Sequence, residues 1–139
     1  MTSTVLTTVD REGWWWACPA TSVASLSVSA GQRLLAISIA PDAAGRDTFA
    51  TADALAIHVL GPEQEALADH FARHPTDFDT AQSAHGLRVE CGFEAVPLLA
   101  DVASRLECRR VNVLTVDEKV VLLAKVVRSH PAPLLRQAS

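Results

Sequence analysis

Residues 55–72 read LAIHVLGPEQEALADHFA and predict a buried strand followed by a helix that packs on a sheet. Residues 55–60 are apolar apart from one histidine, and such a run predicts a buried strand. Gly61 and Pro62 then begin a helix, because proline is well tolerated at the first helical position. The helix places three apolar residues on one face, which predicts packing against a sheet: Leu67, Ala68 and Phe71.

Further strands are predicted on both sides of this unit. Their bounds are residues 4–9, 14–18, 21–28, 34–40, 87–93, 103–116 and 119–128. A short helix is predicted at Ala43–Asp53 with Phe49 as its core residue, whereas the polar stretch Thr76–Gly86 predicts a loop. Short turns between neighbouring strands favour antiparallel pairing. We therefore expect a mainly β protein with two or three short helices, curled into a closed or nearly closed barrel.

Composition limits the function classes. The chain has 139 residues, 49% apolar and 20% charged, which fits one globular domain over residues 1–139. A net charge of −4 without a Lys/Arg cluster argues against a nucleic-acid or anionic membrane surface. No apolar run approaches the roughly 18–20 residues that span a bilayer. We expect neither nucleic acid nor membrane as a partner.

Cysteine and histidine spacing predicts no metal site. Cys18, Cys91 and Cys108 match neither a zinc pattern nor a disulfide framework. We expect three reduced thiols that behave as small hydrophobic groups, in a reducing, cytoplasmic setting. His58 is expected to be a core histidine with one hydrogen-bond partner.

Three consecutive tryptophans, Trp14–Trp16, are the least usual feature. Neighbouring residues on a strand point to opposite faces, so at least one of them should face outward. One interpretation is a dimer contact or the aromatic wall of a ligand pocket. The other is core filling on both sides of an extended hairpin.

Several segments resemble the sequence motifs of one protein family, both in their residues and in their order along the chain. Residues 16–28, WACPATSVASLSV, resemble the pattern G-M-T-x-S-S-F-x-S-V-S-L. Residues 55–72 resemble F-A-V-N-V-L-x-x-x-Q-x-x-L-A-x-x-F-A, residues 106–109 an L-E-C-x strand, and residues 116–127 a hairpin that starts with G-D-H. From Thr4 to Leu135 the chain resembles the flavin reductase-like domain family.

This resemblance implies a fold, a chemistry and an assembly. Members are FMN-binding split barrels, usually homodimers, that use NAD(P)H to reduce FMN or FAD near the dimer interface. A divergent member is expected here, lacking the usual helix ahead of the first strand because Met1 lies almost on that strand. The implied function is that of an NAD(P)H:flavin oxidoreductase, and the sequence alone leaves open whether this chain is an enzyme.

The resemblance also nominates site residues. Thr21 and Ser22 match a Ser-Ser pair whose hydroxyls and main-chain amides would line the flavin, and Lys119 takes the place of the G-D-H histidine as the catalytic candidate. A cation there would steady the negative charge of a reduced flavin. The cofactor-binding candidates are Pro19, Ala20, Thr21, Ser22, Arg46 and Thr48.

Three departures from the family pattern bear on cofactor binding: Pro19, residues 43–45 and Lys119. Pro19 replaces a threonine and removes a backbone donor. Ala43, Ala44 and Gly45 replace a phosphate-binding S-x-T loop, with Arg46 and Thr48 nearby as substitutes. Alternative readings therefore stand: a degenerate member that acts as a non-redox dimeric binding or scaffold protein, or an enzyme with a repurposed apolar pocket. For Lys119, the alternative interpretation is a solvent-exposed lysine in a hairpin turn. For Thr21 and Ser22, it is that their hydroxyls face solvent or cap a turn.

Overall fold

The computed structural model describes residues 3–26 and 33–130. The strands are β1 (Thr4–Val9), β2 (Trp15–Pro19), β3 (Ser22–Ser25), β4 (Leu34–Ile39), β5 (Ala54–Val59), β6 (Val89–Cys91), β7 (Pro97–Leu99), β8 (Ser104–Val116) and β9 (Lys119–His130). The helices are α1 (Arg46–Thr51), α2 (Glu65–Arg73) and α3 (Phe78–His85). The predicted turn at residues 29–32, the end of the predicted strand 21–28 and the tail at 131–135 lie outside the described residues.

Seven strands form one antiparallel sheet in the order β2-β1-β5-β8-β9-β4-β3. Its two edge strands, β2 and β3, follow each other directly in the chain, so the sheet must curl for Ala20 and Thr21 to join its edges. Thr21 donates its N–H to Ser38 O at 2.8 Å and thereby continues the pairing of β3 with β4. The prediction of a mainly β, antiparallel split barrel is confirmed.

The core lies inside the curl and under α2. Alternate residues of β4 are buried, as expected for a strand with one face on a core. Leu67 and Phe71 of α2 are buried in a second cluster against Val5 and Ala17 of the sheet, and Phe49 anchors α1. The predicted core roles of Leu67, Ala68, Phe71 and Phe49 are therefore confirmed.

The predicted loop at Thr76–Gly86 is wrong, because α3 occupies most of it. The helix buries only Phe78 and Ala81, so its apolar periodicity is too weak to recognise. Its ends did carry signals. Asp77 caps the N-terminus by accepting a hydrogen bond from Thr80 N, and Gly86 follows the C-terminus with φ 65°.

The three cysteines are free. Cys18 and Cys108 are buried, as expected of thiols that behave as small hydrophobic groups, whereas Cys91 on the short strand β6 is exposed and does not fit that expectation. His58 is fully buried as expected, but it has two hydrogen-bond partners rather than one. Among the described residues, none of the helices is long and apolar enough to cross a membrane.

Candidate active site

An open cleft of about 280 Å³ lies between β2, the loop after β4 and the C-terminal half of α2. Pro19 from β2 lines it together with Ala43, Ala44 and Gly45. The structure thus brings together two of the three departures from the family pattern that bear on cofactor binding. The cleft is also lined by Cys18, Asp42, Phe71 and Pro75.

Local contacts hold the walls of the cleft in place. Ala17 of β2 donates its N–H to Pro75 O at 2.7 Å, which ties the end of the helical wall to the sheet. On the opposite wall, a Cβ added at Gly45 would lie 3.4 Å from the ring of Phe49 and 3.5 Å from the ring of Trp16. These aromatic side chains therefore support the loop from below.

Cys18 contributes a thiol to the cleft wall. Its side chain is 2% exposed, and burial raises the pKa of the thiol to about 11. The thiol is therefore protonated at neutral pH and acts as an apolar surface rather than as a nucleophile.

The main-chain amides proposed to face the flavin are engaged within the fold. Ala20 donates its N–H to Thr4 O at 3.0 Å, and Thr21 donates to Ser38 O. The side chains of Thr21 and Ser22 are exposed at the start of β3. What this segment can offer a ligand is therefore its hydroxyl groups.

Arg46 joins two regions that the sequence assigned to the site. Its guanidinium Nη1 donates to Pro41 O at 2.9 Å and to Glu118 O at 3.2 Å, across 72 residues of chain. Lys119 follows Glu118 directly and is exposed at the start of β9. Arg46 therefore fixes the β8–β9 turn, and with it the backbone beside Lys119, against the loop of the cleft.

Thr48 lies in α1 and is half-buried. Its carbonyl accepts hydrogen bonds from Ala52 N and from the Thr51 hydroxyl, so its backbone serves the helix end. Neither Thr48 nor Arg46 is among the residues that line the cleft.

At least one tryptophan faces outward, as predicted, but the three do not alternate strictly, because β2 begins at Trp15 and Trp14 lies ahead of it. Trp14 is 65% exposed and Trp15 38%, whereas Trp16 packs against the core and donates its Nε1–H to Asp10 Oδ2 at 2.9 Å. This hydrogen bond holds the pKa of Asp10 below its usual range. A second depression of about 230 Å³, on α3, is lined by Trp14, Trp15 and Phe78.

Sequence reasoning missed residues on two walls of the cleft: Phe71 and Pro75 on the helical wall, and Asp42 on the loop after β4. Phe71 was recognised only as a core residue and Pro75 only as the end of a helix. Asp42 carried no signal beyond its position after Pro41. Their place in the site depends on how α2 and the loop after β4 meet β2, which no local pattern encodes.

Within residues 3–26 and 33–130, no cluster of three or more His, Cys, Asp or Glu side chains is arranged to hold a metal ion. The nearest approach is at α2 and α3, where the ring of His70 lies 5.4 Å from that of His74 and 5.6 Å from that of His85. His70 directs its Nε2 to Asp77 O at 2.7 Å instead.

Curled sheet and cleft together define the class of this protein. The family description "Flavin reductase like domain" matches residues 1–136. The chain therefore belongs to the flavin reductase-like domain family.

Individual relatives agree with this assignment. The chain is 30% identical over 103 residues to the FMN reductase (NADH) SmoA of Agrobacterium fabrum, covering 74% of this chain and 56% of that protein. It is 31% identical over 123 residues to the reductase component of the flavin-dependent trigonelline monooxygenase of Acinetobacter baylyi, covering 88% of this chain and 37% of that protein. This chain thus spans between about a third and somewhat more than half of these curated relatives.

Among solved structures, the fold is similar to the NADH:FAD oxidoreductase SgcE6 of Streptomyces globisporus C-1027. The TM-score is 0.76 at 27% identity, over 96% of this chain and 77% of the other. The flavin reductase domain protein of Arthrobacter sp. FB24 gives the same TM-score at 29% identity, over 94% and 77%.

Proposed function

We propose that this chain is an NAD(P)H:flavin oxidoreductase domain that binds its flavin in the cleft beside Pro19 and transfers a hydride from NAD(P)H to it. One observation carries the proposal: the cleft is lined by two segments, Pro19 and residues 43–45, that stand at the positions of the family's flavin-contacting segments. Among the phosphate-bearing flavins, FMN is the one we propose first, with FAD as the second, because relatives are named for each.

The walls of the cleft suit an aromatic ring system. Pro19, Phe71 and the protonated thiol of Cys18 offer apolar surface, which is what a planar, largely apolar ligand needs. When bound, the flavin would supply the acceptor for the hydride and would carry the negative charge that arrives with it. NAD(P)H is thereby oxidised to NAD(P)⁺ by two electrons.

The hydroxyl groups of Thr21 and Ser22 are proposed as donors to the flavin ring and ribityl chain, beside the backbone of Ala20. Both side chains are exposed at the edge where β2 passes into β3, next in the chain to Pro19. The main-chain amides of Ala20 and Thr21 serve the sheet, so the hydroxyls carry this part of the proposal.

Lys119 is proposed as the cation that steadies the negative charge of the reduced flavin. Support comes from Arg46, which fastens the turn before Lys119 to the loop of the cleft. Contacts from Arg46 and Thr48 to a flavin phosphate remain part of the proposal. Arg46 would use guanidinium N–H groups other than those that Nη1 donates to the two carbonyls, and Thr48 would use its hydroxyl.

A homodimer is proposed as the working assembly. Six large apolar side chains are exposed on β3, β8 and β9 or just beyond them: Val23, Leu26, Val111, Leu114, Val116 and Val127. Large exposed apolar side chains of this kind are the ground for proposing a contact with a second copy of the chain. Because β3 also carries Ser22, a second copy on this surface would lie beside the proposed flavin site.

Free thiols are the ground for proposing a cytoplasmic setting.

The test is flavin-dependent oxidation of NADH and of NADPH by the purified chain, followed at 340 nm. FMN should accelerate oxidation, and flavin binding should perturb the visible flavin spectrum. Lys119→Gln should lower kcat more than it raises KM for the flavin, whereas Lys125→Gln, which changes the only other lysine, should leave both unchanged. A chain with no flavin affinity at tens of micromolar would refute the proposal and favour a scaffold or a repurposed pocket.

A further inference from the structure

The cleft that we propose for the flavin carries a negative charge where a flavin phosphate would need a positive one. Asp42 lines it and is exposed at its rim. It is the only charged residue among those lining the cleft, all of which belong to the described part of the chain. The residues that follow it, Ala43, Ala44 and Gly45, contribute neither a hydroxyl nor a charge.

The cation nearest in sequence is directed elsewhere. Arg46 donates through Nη1 to the carbonyls of Pro41 and Glu118, and its Nε lies 3.5 Å from Asp47 Oδ1. Its side chain is therefore partly neutralised by Asp47 and held toward the β8–β9 turn. It does not offset the charge of Asp42 inside the cleft.

A ligand phosphate would experience this charge whichever way the ligand lies. The cleft holds about 280 Å³, so every part of a bound ligand lies within a few ångströms to about a Debye length of the carboxylate. A phosphate monoester carries a charge between about −1.5 and −2 at neutral pH. An uncharged polyol chain has no such repulsion, and its hydroxyl groups can donate to the carboxylate.

We propose that Asp42 makes this domain select flavins without a phosphate, so that riboflavin binds more tightly than FMN. The inference rests on the proposed function, since it assumes that the flavin occupies this cleft. Asp42 acts as a specificity-determining residue: it repels the phosphate and accepts hydrogen bonds from the ribityl hydroxyls. A weakened phosphate contact also explains how the domain tolerates alanine and glycine at positions 43–45.

Direct binding measures this preference without requiring turnover. Quenching of flavin fluorescence, at about 20 mM and about 500 mM NaCl, gives Kd values for riboflavin and for FMN. At low salt we expect riboflavin to bind about three- to tenfold more tightly, the size expected for a solvent-screened repulsion at this range. At high salt the difference should shrink, because ions screen exposed charges.

Variants assign the effect to one carboxylate. Asp42→Asn should bring the Kd for FMN close to that for riboflavin and remove its salt dependence, while Asp42→Lys should reverse the preference. Asp79→Asn is the matched control. It removes the same charge from an exposed residue, but that residue lines the depression beside Trp14 rather than the cleft. It should leave the ratio of the two Kd values unchanged.

The outcomes separate this inference from the proposed function. If both flavins bind and FMN is preferred by the unmodified chain, or if Asp42→Asn leaves the ratio unchanged, the selection by Asp42 is overturned while the oxidoreductase proposal stands. If neither flavin binds to the unmodified chain or to Asp42→Asn, both proposals fall. Unfolding midpoints of all variants should match, since Asp42 and Asp79 are exposed.

Discussion

His58 joins the seven-stranded sheet to the two-stranded sheet formed by β6 and β7, because the backbone N–H of Leu99 donates to His58 Nε2 at 3.0 Å. Because Nε2 accepts this hydrogen bond, the proton lies on Nδ1, which donates to Val5 O at 3.1 Å. The imidazole therefore connects β5 with β1 and with β7. It is fully buried, and burial lowers its pKa from 6.5 to about 4.

Acid should destabilise the fold through His58. Between pH 6.5 and about 4 the unfolded chain takes up a proton at this residue that the folded chain does not. The stability that the neutral, buried His58 contributes is thus fully present above pH 6.5 and is lost as the pH falls to about 4. The loss in the free energy of unfolding over this range is about 3 kcal/mol. Urea unfolding at intervals between pH 7.5 and pH 4 measures the slope.

His58→Asn provides the comparison, because asparagine keeps one donor and one acceptor but does not titrate. At neutral pH it should cost about 1–3 kcal/mol, since a shorter side chain leaves one buried partner less well satisfied. The difference in stability between the two proteins should narrow as the pH falls toward 4. A constant difference over this range would show that His58 does not titrate with the shifted pKa.

Glu107 is predicted to anchor the end of the long hairpin. Its side chain is 1% exposed, and it accepts hydrogen bonds from Phe93 N at 2.6 Å and from His130 Nε2 at 2.8 Å, with Arg128 at 3.4 Å. Glu107→Gln keeps the shape but removes the charge that strengthens these contacts. We expect a loss of about 1.5–3 kcal/mol in the free energy of unfolding at pH 7.

Glu107 should also make the stability of the fold depend on pH, in a lower pH range than His58 does. Burial by itself would raise the pKa of Glu107, but the hydrogen bonds from His130 and Phe93 and the charge of Arg128 lower it below its ordinary 4.5. Its stabilising effect is therefore present above pH 4.5 and is lost as the pH falls through the lowered value. The destabilisation by Glu107→Gln should accordingly decrease at pH 3.5, and an increase there would contradict this assignment.

Asp77→Ala tests the helix that the sequence did not predict. The carboxylate accepts a hydrogen bond from Thr80 N at 3.0 Å, and loss of such a cap costs about 1 kcal/mol. Because Phe78 packs edge-on against Trp15 with ring centroids 5.3 Å apart, tryptophan emission should report the change. Asp79 lies in the first turn of the same helix but is not its cap. Asp79→Asn should therefore leave the tryptophan emission and the free energy of unfolding nearly unchanged.

Restoring donors at the cleft should raise its affinity for FMN. Gly45 has φ −90°, and an added Cβ would make only ordinary contacts of 3.4–3.5 Å with Phe49 and Trp16. Ala43→Ser combined with Gly45→Thr would place the two hydroxyls of the family loop there, and Pro19→Thr adds a hydroxyl opposite. Each charge-assisted hydrogen bond is worth about 1.5–3 kcal/mol, so the Kd for FMN should fall by at least about tenfold. An unchanged Kd would mean that residues 43–45 are not the phosphate loop.

Sequence patterns predicted the strongly periodic elements correctly. The hairpin of β1 and β2, the strand β4, the unit of β5 and α2, and the long strands β8 and β9 all lie within a few residues of their predicted bounds. Each has either a period-two pattern, a continuous apolar run or an apolar helix face. Helix α3 lacks these, and its two buried residues and its cap were too little to distinguish it from a loop.

For the candidate site, the sequence nominated individual segments but not their arrangement. Pro19 and residues 43–45 were identified by resemblance, and the structure places them in one cleft. Nothing in the sequence indicated that Arg46 donates to Glu118, that the amides of Ala20 and Thr21 pair with other strands, or that Asp42 faces the same space.

The sequence by itself determined the family, the mainly β class and the residue types available for chemistry, because these depend on local periodicity and on the order of short motifs. The tertiary structure alone decided the strand order β2-β1-β5-β8-β9-β4-β3, the partner of each buried polar group and the lining of the cleft. Such relationships join residues far apart in the chain. They are set by pairing register and by the packing of α2 against the curled sheet, which only the assembled fold specifies.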